Sequence, residues 1–154
     1  MRSGLTESPL NPLPPVIWLL VLPVVASEAV FALGTAGLIG GAEGVGLRLS
    51  AIRMAAFPPE LLQRIWTLGA IDVGQIYRIL SFSFVHVSLT HALFVAVFTL
   101  ALGNMVAQNF RPAAVLGLFF GSAIGGAAVY SALLPLVGDR ATPLIGGYPA
   151  VYGL

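Results

Sequence analysis

The sequence predicts an all-α, polytopic membrane protein, and its composition and hydropathy pattern support this prediction. Of the 154 residues, 58% are apolar and only 8% are charged, and the mean hydropathy is +0.96. Soluble domains carry about 25% charged residues, so this chain has too few charges to cover a water-exposed surface. Three apolar runs reach the roughly 20 residues that a spanning helix needs, and a fourth has begun where the sequence stops. We therefore predict a helical bundle with three complete spans and the start of a fourth.

The charge balance and the residue types exclude several classes of function. Seven basic and six acidic residues give a net charge of +1, too small to predict a nucleic-acid partner. The absence of cysteine excludes disulfides and thiolate metal sites. The only histidines, His86 and His91, are predicted to lie on one helix, where a spacing of five residues turns their side chains about 140° apart. They could not share a metal ion in that arrangement, and we expect no metal and no cofactor.

The first predicted span is residues 16–38, after a polar, proline-rich stretch (residues 1–15) that reads as a flexible N-terminal tail. Glu28 lies near the middle of this span. A charge there is costly, so its side chain should face protein. It could make a polar contact within the bundle or with a partner, or a single hydrogen bond to a neighbouring helix.

Residues 39–75 are predicted to form an interfacial, amphipathic loop between the first and second spans. Within it, residues 60–69 have the pattern of an amphipathic helix, with Glu60 and Arg64 paired on its polar face. Aromatic and basic side chains suit the headgroup layer. The predicted membrane-interface residues are Arg48, Arg53, Arg64 and Trp66. The alternative is a helix that simply faces water.

Two further complete spans are predicted at residues 76–107 and 113–136, and a partial one at 144–154. The third span repeats Gly117, Gly121 and Gly125 at every fourth position, which predicts a face buried against other helices. Eleven residues are too few for a fourth span, so we expect this sequence to belong to a longer chain, the alternative being a gene that encodes a fragment. Arginine counts on the two sides of the spans differ by three to two, which leaves the orientation open.

The second span and the end of the sequence resemble the rhomboid intramembrane serine proteases. That family carries Trp-Arg on its second helix, then two histidines five residues apart, then an asparagine four residues later; here Tyr77-Arg78 precedes His86 and His91. The segment 146–153, Gly-Gly-Tyr-Pro-Ala-Val-Tyr-Gly, resembles the family's Gly-x-Ser-Gly start of the fourth helix. The loop 39–75 resembles the family's membrane-embedded first loop. The resemblance covers residues 16–154 and implies a rhomboid-like fold.

The chain departs from the family at the residues that carry the chemistry. The resemblance implies acyl transfer, in which a fourth-helix serine attacks a peptide carbonyl, a sixth-helix histidine removes its proton and second-helix side chains stabilise the oxyanion. Tyr148 stands at the serine position, Pro149 at the following glycine and Val95 at the oxyanion asparagine. His86 and His91 are retained, and the sixth-helix histidine has no counterpart among these residues. We expect no intact catalytic site.

Three functions remain open at this level. The favoured one is an inactive rhomboid-like protein that binds transmembrane segments of client or partner proteins. The second is an accessory or scaffold subunit of a larger membrane complex. The third is an active serine endopeptidase whose nucleophile is another serine, such as Ser88 or Ser122. The expected partners are the lipid bilayer and transmembrane helices, and the expected location is a bacterial-type inner membrane.

Overall fold

The computed structural model describes residues 13–137 and 142–154, so most of the predicted N-terminal tail lies outside the described residues. Eight α-helices occur in the described ranges. They are α1 (Pro15–Thr35), α2 (Leu47–Ala55), α3 (Glu60–Leu68), α4 (Arg78–Ser81), α5 (Leu89–Ala107), α6 (Pro112–Ala132), α7 (Leu134–Val137) and α8 (Tyr148–Val151). Turns of 3-10 helix at Gly41–Gly46 and Phe82–Phe84 precede α2 and follow α4.

Helices α1, α5 and α6 are each long and apolar enough to cross a membrane. This confirms the prediction of an all-α membrane bundle with three complete spans. Pro23 lies inside α1 without ending it, as is common in membrane helices, where neighbouring groups satisfy the freed carbonyl. The buried faces of α1 and α5 pack against each other.

The predicted start of the second span was wrong. Its helix begins at Leu89 rather than Ile76, because the backbone is extended at Val85 (φ −115°, ψ 136°) and again at Ser88. The Ser88 hydroxyl accepts a hydrogen bond of 3.2 Å from the backbone N–H of His91, which caps the new helix. Residues 76–88 therefore consist of short helical turns followed by extended backbone, and Phe82 and His86 in this segment are fully buried.

The α6 glycine face has no neighbour among the described residues, so its packing against other helices stays a prediction. Gly117, Gly121 and Gly125 are exposed, and a Cβ built on any of them meets nothing within 4 Å. A different face of α6 is buried, formed by residues at four-residue intervals: Val115, Phe119, Ala123 and Ala127. These four residues belong to the hydrophobic core, and α6 contacts α3, α4 and α8.

The loop between α1 and α5 contains the predicted amphipathic helix, which is α3. It ends at Gly69, whose φ of 63° is a left-handed helix cap that favours glycine. The burial of its apolar residues decreases along the helix, since Leu61 near the start is buried and Leu68 at the end is exposed. Trp66 is 51% exposed, as a side chain placed in the headgroup layer would be. The interfacial position itself stays a prediction.

The predicted fourth stretch starts as extended chain. Leu144 pairs with Phe57 in an antiparallel bridge, with N–O distances of 3.0 and 2.8 Å. The helical part is the single turn α8, which packs against α6. The bridge joins the start of this stretch to the residue Phe57, which follows α2.

Candidate functional site

The site is built where the turn before α8 meets the extended segment before α5. The backbone N–H of Gly146 donates to the carbonyl of Phe82 over 2.8 Å. The next N–H, of Gly147, donates to Nε2 of His86 over 3.3 Å. Gly146 has a φ of 99°, which side-chain-bearing residues rarely adopt. The two glycines thus let the chain approach the histidine closely.

The two histidines do not lie on one helix, and the prediction that they point apart was wrong. His86 is on the extended segment and fully buried, whereas His91 is in the first turn of α5. Their ring centroids are 5.0 Å apart and the rings are nearly perpendicular. The extended backbone at residues 85–88 interrupts the predicted helix and brings the two rings together.

His86 is a neutral hydrogen-bond acceptor in this site. Burial, and then repulsion from His91, lowers its pKa from 6.5 to about 4. A neutral imidazole that accepts at Nε2 carries its proton on Nδ1, so the bond from Gly147 assigns the tautomer. Within the described residues, no three His, Cys, Asp or Glu side chains are grouped as metal ligands would be.

Tyr148 stacks directly on His91. The centroid distance is 4.8 Å and the interplanar angle 21°. Tyr152, one turn later, stacks on Tyr148 with a centroid distance of 5.6 Å and an interplanar angle of 11°. Aromatic contacts of this kind contribute about 0.5–1.5 kcal/mol beyond burial of area. The phenol ring is therefore a packed part of the site.

Val95 and Pro149 complete the close packing. Val95 is 1% exposed, and a Cβ built on Gly147 would lie 2.7 Å from Cγ1 of Val95 and 2.9 Å from the carbonyl oxygen of Ser83. Pro149 packs on α6, where a Cβ built on Gly126 would lie 2.7 Å from Cβ of Pro149. The structure thus brings together five residues that were selected from the sequence: His86, His91, Val95, Tyr148 and Pro149.

An ion pair between Glu28 and Arg48 lies beside this cluster, and only the burial of Glu28 was predicted. Glu28, predicted to face protein, is 7% exposed and accepts two hydrogen bonds of 2.7 Å from the guanidinium of Arg48. The same guanidinium donates to the carbonyl oxygen of His86 over 2.9 Å. Arg48 was predicted to be an interface residue like Arg53 and Arg64, which are exposed. The signal was available, because a carboxylate inside a span requires a partner.

A second set of contacts, not predicted, fastens the loop to the site. Arg78 donates through Nε to the carbonyl of Met54 over 2.7 Å, and also contacts the carbonyl of Arg53. The hydroxyl of Tyr77 donates to the same Met54 carbonyl over 2.8 Å. These carbonyls end α2 and have no partner within the helix, so the Tyr77-Arg78 pair satisfies them.

Comparison with known families identifies this arrangement. Residues 73–154, just over half of the chain, match the Rhomboid domain. The chain belongs to the rhomboid family. It is an integral membrane protein with the all-α fold of that family. The chain matches no curated protein and no solved structure.

The matched part of this rhomboid contains the whole aromatic cluster, whereas Glu28 and Arg48 precede it. Inside the matched part, the described residues hold two imidazole nitrogens without a protein partner, Nδ1 of His86 and Nε2 of His91. Ser88 is the candidate nucleophile closest to the two histidines in the sequence. Its hydroxyl caps α5 by accepting a hydrogen bond from the backbone N–H of His91. The site therefore holds two imidazole nitrogens that are available for hydrogen bonds, next to the stacked ring of Tyr148.

Proposed function

We propose that this rhomboid-family protein has no peptidase activity and binds transmembrane segments of other membrane proteins. The observation that carries the proposal is the Tyr148 ring, which stacks on His91 at the position where the family resemblance implies the serine nucleophile. A phenol is a poor acyl-enzyme nucleophile, and the ring occupies the space beside the histidine that a substrate carbonyl would need.

The oxyanion position supports the same proposal. Val95 offers no hydrogen-bond donor, and its methyl group packs towards Gly147. Loss of one oxyanion donor lowers the rate by about 10²–10³, and loss of the nucleophile lowers it further. Pro149 has no backbone N–H and is held against Gly126, so the turn after Tyr148 has also changed.

A membrane-facing groove supports the binding part of the proposal. It lies between α1 and α5, has a volume of about 360 Å³ and is lined by small or apolar side chains and by Glu28. Small residues allow the backbone of another helix to approach closely. The lining residues are Val24, Val25, Glu28, Ala29, Ala32, Leu89, Ala92, Leu93 and Ala96.

Activity is tested on the intact protein with a fluorophosphonate probe and with a peptide substrate of rhomboid proteases. We expect no labelling and no cleavage by the unaltered protein. Labelling that appears with the combined substitutions Tyr148→Ser, Val95→Asn and Pro149→Gly, and not with the matched control Tyr148→Phe, would show that the loss of activity is confined to these positions. Labelling of the unaltered protein that disappears in Ser88→Ala or Ser122→Ala would contradict the proposal and favour an active protease.

Binding is tested by photocrosslinking in the native membrane. A photoreactive residue replaces Leu93, which lines the groove, or Met105, which lies on the same helix outside it; the two are 58% and 57% exposed. We expect crosslinks to other membrane proteins from the Leu93 position, reduced by an excess of a client segment, and few from Met105. Equal crosslinking from both positions would show that the groove has no special role.

A second function, that of an accessory subunit in a larger membrane complex, is favoured by the open glycine face of α6. Gly117, Gly121 and Gly125 leave room for a permanent helix–helix contact. A subunit would co-purify with its partners in fixed stoichiometry and lose them in Gly121→Leu. A client-binding protein would show transient capture that this substitution does not change. The bacterial-type inner membrane is the proposed location in either case.

A further inference from the structure

We infer that Glu28 and Arg48 are a positioning pair for the candidate site: they set the place of His86, and through its ring the place of the Gly147 backbone. Their role does not depend on whether the site cleaves peptide bonds. It follows from a continuous chain of hydrogen bonds that runs from α1 through α2 to the two segments that form the site.

The first link is the ion pair itself. Both carboxylate oxygens of Glu28 accept from the two terminal nitrogens of Arg48, each over 2.7 Å. This two-point geometry fixes the plane of the guanidinium as well as its position. The ring of Phe31 lies below the guanidinium, 4.8 Å from its central carbon, and adds a cation–π contact. The guanidinium is thus held from two directions.

The depth of the pair makes each link strong. Glu28 lies three residues past residue 25, the central residue of α1 (Pro15–Thr35), or about 4.5 Å along the helix axis. Near the middle of a span, neither charge is tolerated without the other, and charge-assisted hydrogen bonds gain strength as the local dielectric falls. The pair therefore remains formed whenever the bundle is folded.

The second link passes from the guanidinium to His86. The nitrogen of Arg48 that binds Glu28 Oε1 also donates to the backbone carbonyl of His86 over 2.9 Å. This carbonyl lies in the extended segment before α5, where no helical N–H is available to it. Arg48 supplies the missing donor, so the backbone of His86 is fixed by a side chain from a different element.

The third link passes from His86 to α8. The imidazole Nε2 accepts from the N–H of Gly147, the residue that precedes Tyr148. The backbone of His86 is held on one side by Arg48 and its ring is held on the other by Gly147. A change at Arg48 should therefore reach the first turn of α8, although neither Glu28 nor Arg48 contacts Tyr148 in this chain of bonds.

The test uses the fact that the chain has two histidines only. A histidine-labelled sample of the intact protein in lipid nanodiscs gives two imidazole signals by NMR, which His91→Asn assigns. Arg48→Lys keeps the positive charge but removes the planar two-point geometry. We expect it to shift the His86 signal. Hydrogen exchange of the Gly147 amide, measured by mass spectrometry on a peptide that contains it, should be faster by roughly tenfold, as loss of one hydrogen bond would make it. Arg53→Lys, on the exposed side of the same helix, should change neither signal.

Glu28→Gln is the second variant, for the case in which Arg48→Lys does not fold. It keeps an acceptor for the guanidinium but removes the second carboxylate oxygen and the charge, and we expect a smaller shift of the same His86 signal. A folded variant with both histidine signals and the Gly147 exchange rate unchanged would overturn the inference, because a merely structural pair would lower stability without moving His86. Neither result bears on labelling by the fluorophosphonate probe, so failure here is distinct from failure of the proposed function.

Discussion

The same substitution at two adjacent glycines of α6 should have clearly different effects on stability. Gly125 is open, and a Cβ there meets nothing within 4 Å; a Cβ on Gly126 would lie 2.7 Å from Cβ of Pro149. Ordinary contacts begin at 3.4 Å, so α8 would have to move by about 0.7 Å or distort. Overpacking of this kind costs about 1–3 kcal/mol.

Both substitutions gain the same helix-propensity contribution, so the difference in unfolding free energy between them measures the clash with Pro149. Replacing glycine by alanine in a helix stabilises it by about 0.5–1 kcal/mol. Gly125→Ala should therefore raise the free energy of unfolding by that amount. Gly126→Ala gains the same helical contribution but adds the clash, so it should be less stable than Gly125→Ala by about 1–3 kcal/mol. The helical contribution cancels in this comparison, which leaves the packing of α8 on α6.

The assay is unfolding of the purified protein in mixed micelles of mild detergent and sodium dodecyl sulfate, followed by circular dichroism. The comparison is repeated with Pro149→Gly, which removes the Cβ that Gly126→Ala would meet. In that background the two alanine variants should differ by much less, because the obstructing atom is absent. Equal stability of Gly125→Ala and Gly126→Ala in the unaltered background would refute the described contact between α6 and α8. Destabilisation by Gly125→Ala would show that another helix occupies the glycine face.

Three further predictions use the same unfolding assay or fluorescence. Either Glu28→Leu or Arg48→Leu should cost about 3 kcal/mol or more by leaving an unpaired charge, whereas the double variant should recover most of that loss; a double variant as unstable as the singles would count against the ion pair. Since the pKa of His86 is about 4 when folded and 6.5 when unfolded, stability should fall as the pH drops through that window, and His86→Asn should flatten the profile. In Trp18→Phe, lipids brominated near the headgroup should quench Trp66 more than lipids brominated near the chain end; the reverse order would place α3 elsewhere.

The sequence carried most of the fold because the relevant signals are local. Spans are long apolar runs, and the start of α3 after two prolines and its end at Gly69 are set by neighbouring residues. The family resemblance likewise depends on residue types at short spacings, such as those around His86 and Tyr148. Even the N-cap at Ser88 is a local signal, and reading it would have placed the start of α5 correctly.

Tertiary structure decided everything that depended on which surfaces meet. Hydropathy could not tell that Phe119 and its neighbours, rather than Gly121, face the interior of the bundle, because both faces of α6 are apolar. Nor could it join Arg48 to Glu28 and His86, which lie 20 and 38 residues away in the chain. The sequence by itself determined that this is a rhomboid-like membrane chain, and the family resemblance implied that Tyr148 stands at the serine position. Only the tertiary structure showed that His86, His91 and Tyr148 form one packed cluster, because the second helix begins at Leu89 and not before the histidines. Contacts between distant segments leave no periodic pattern in the sequence.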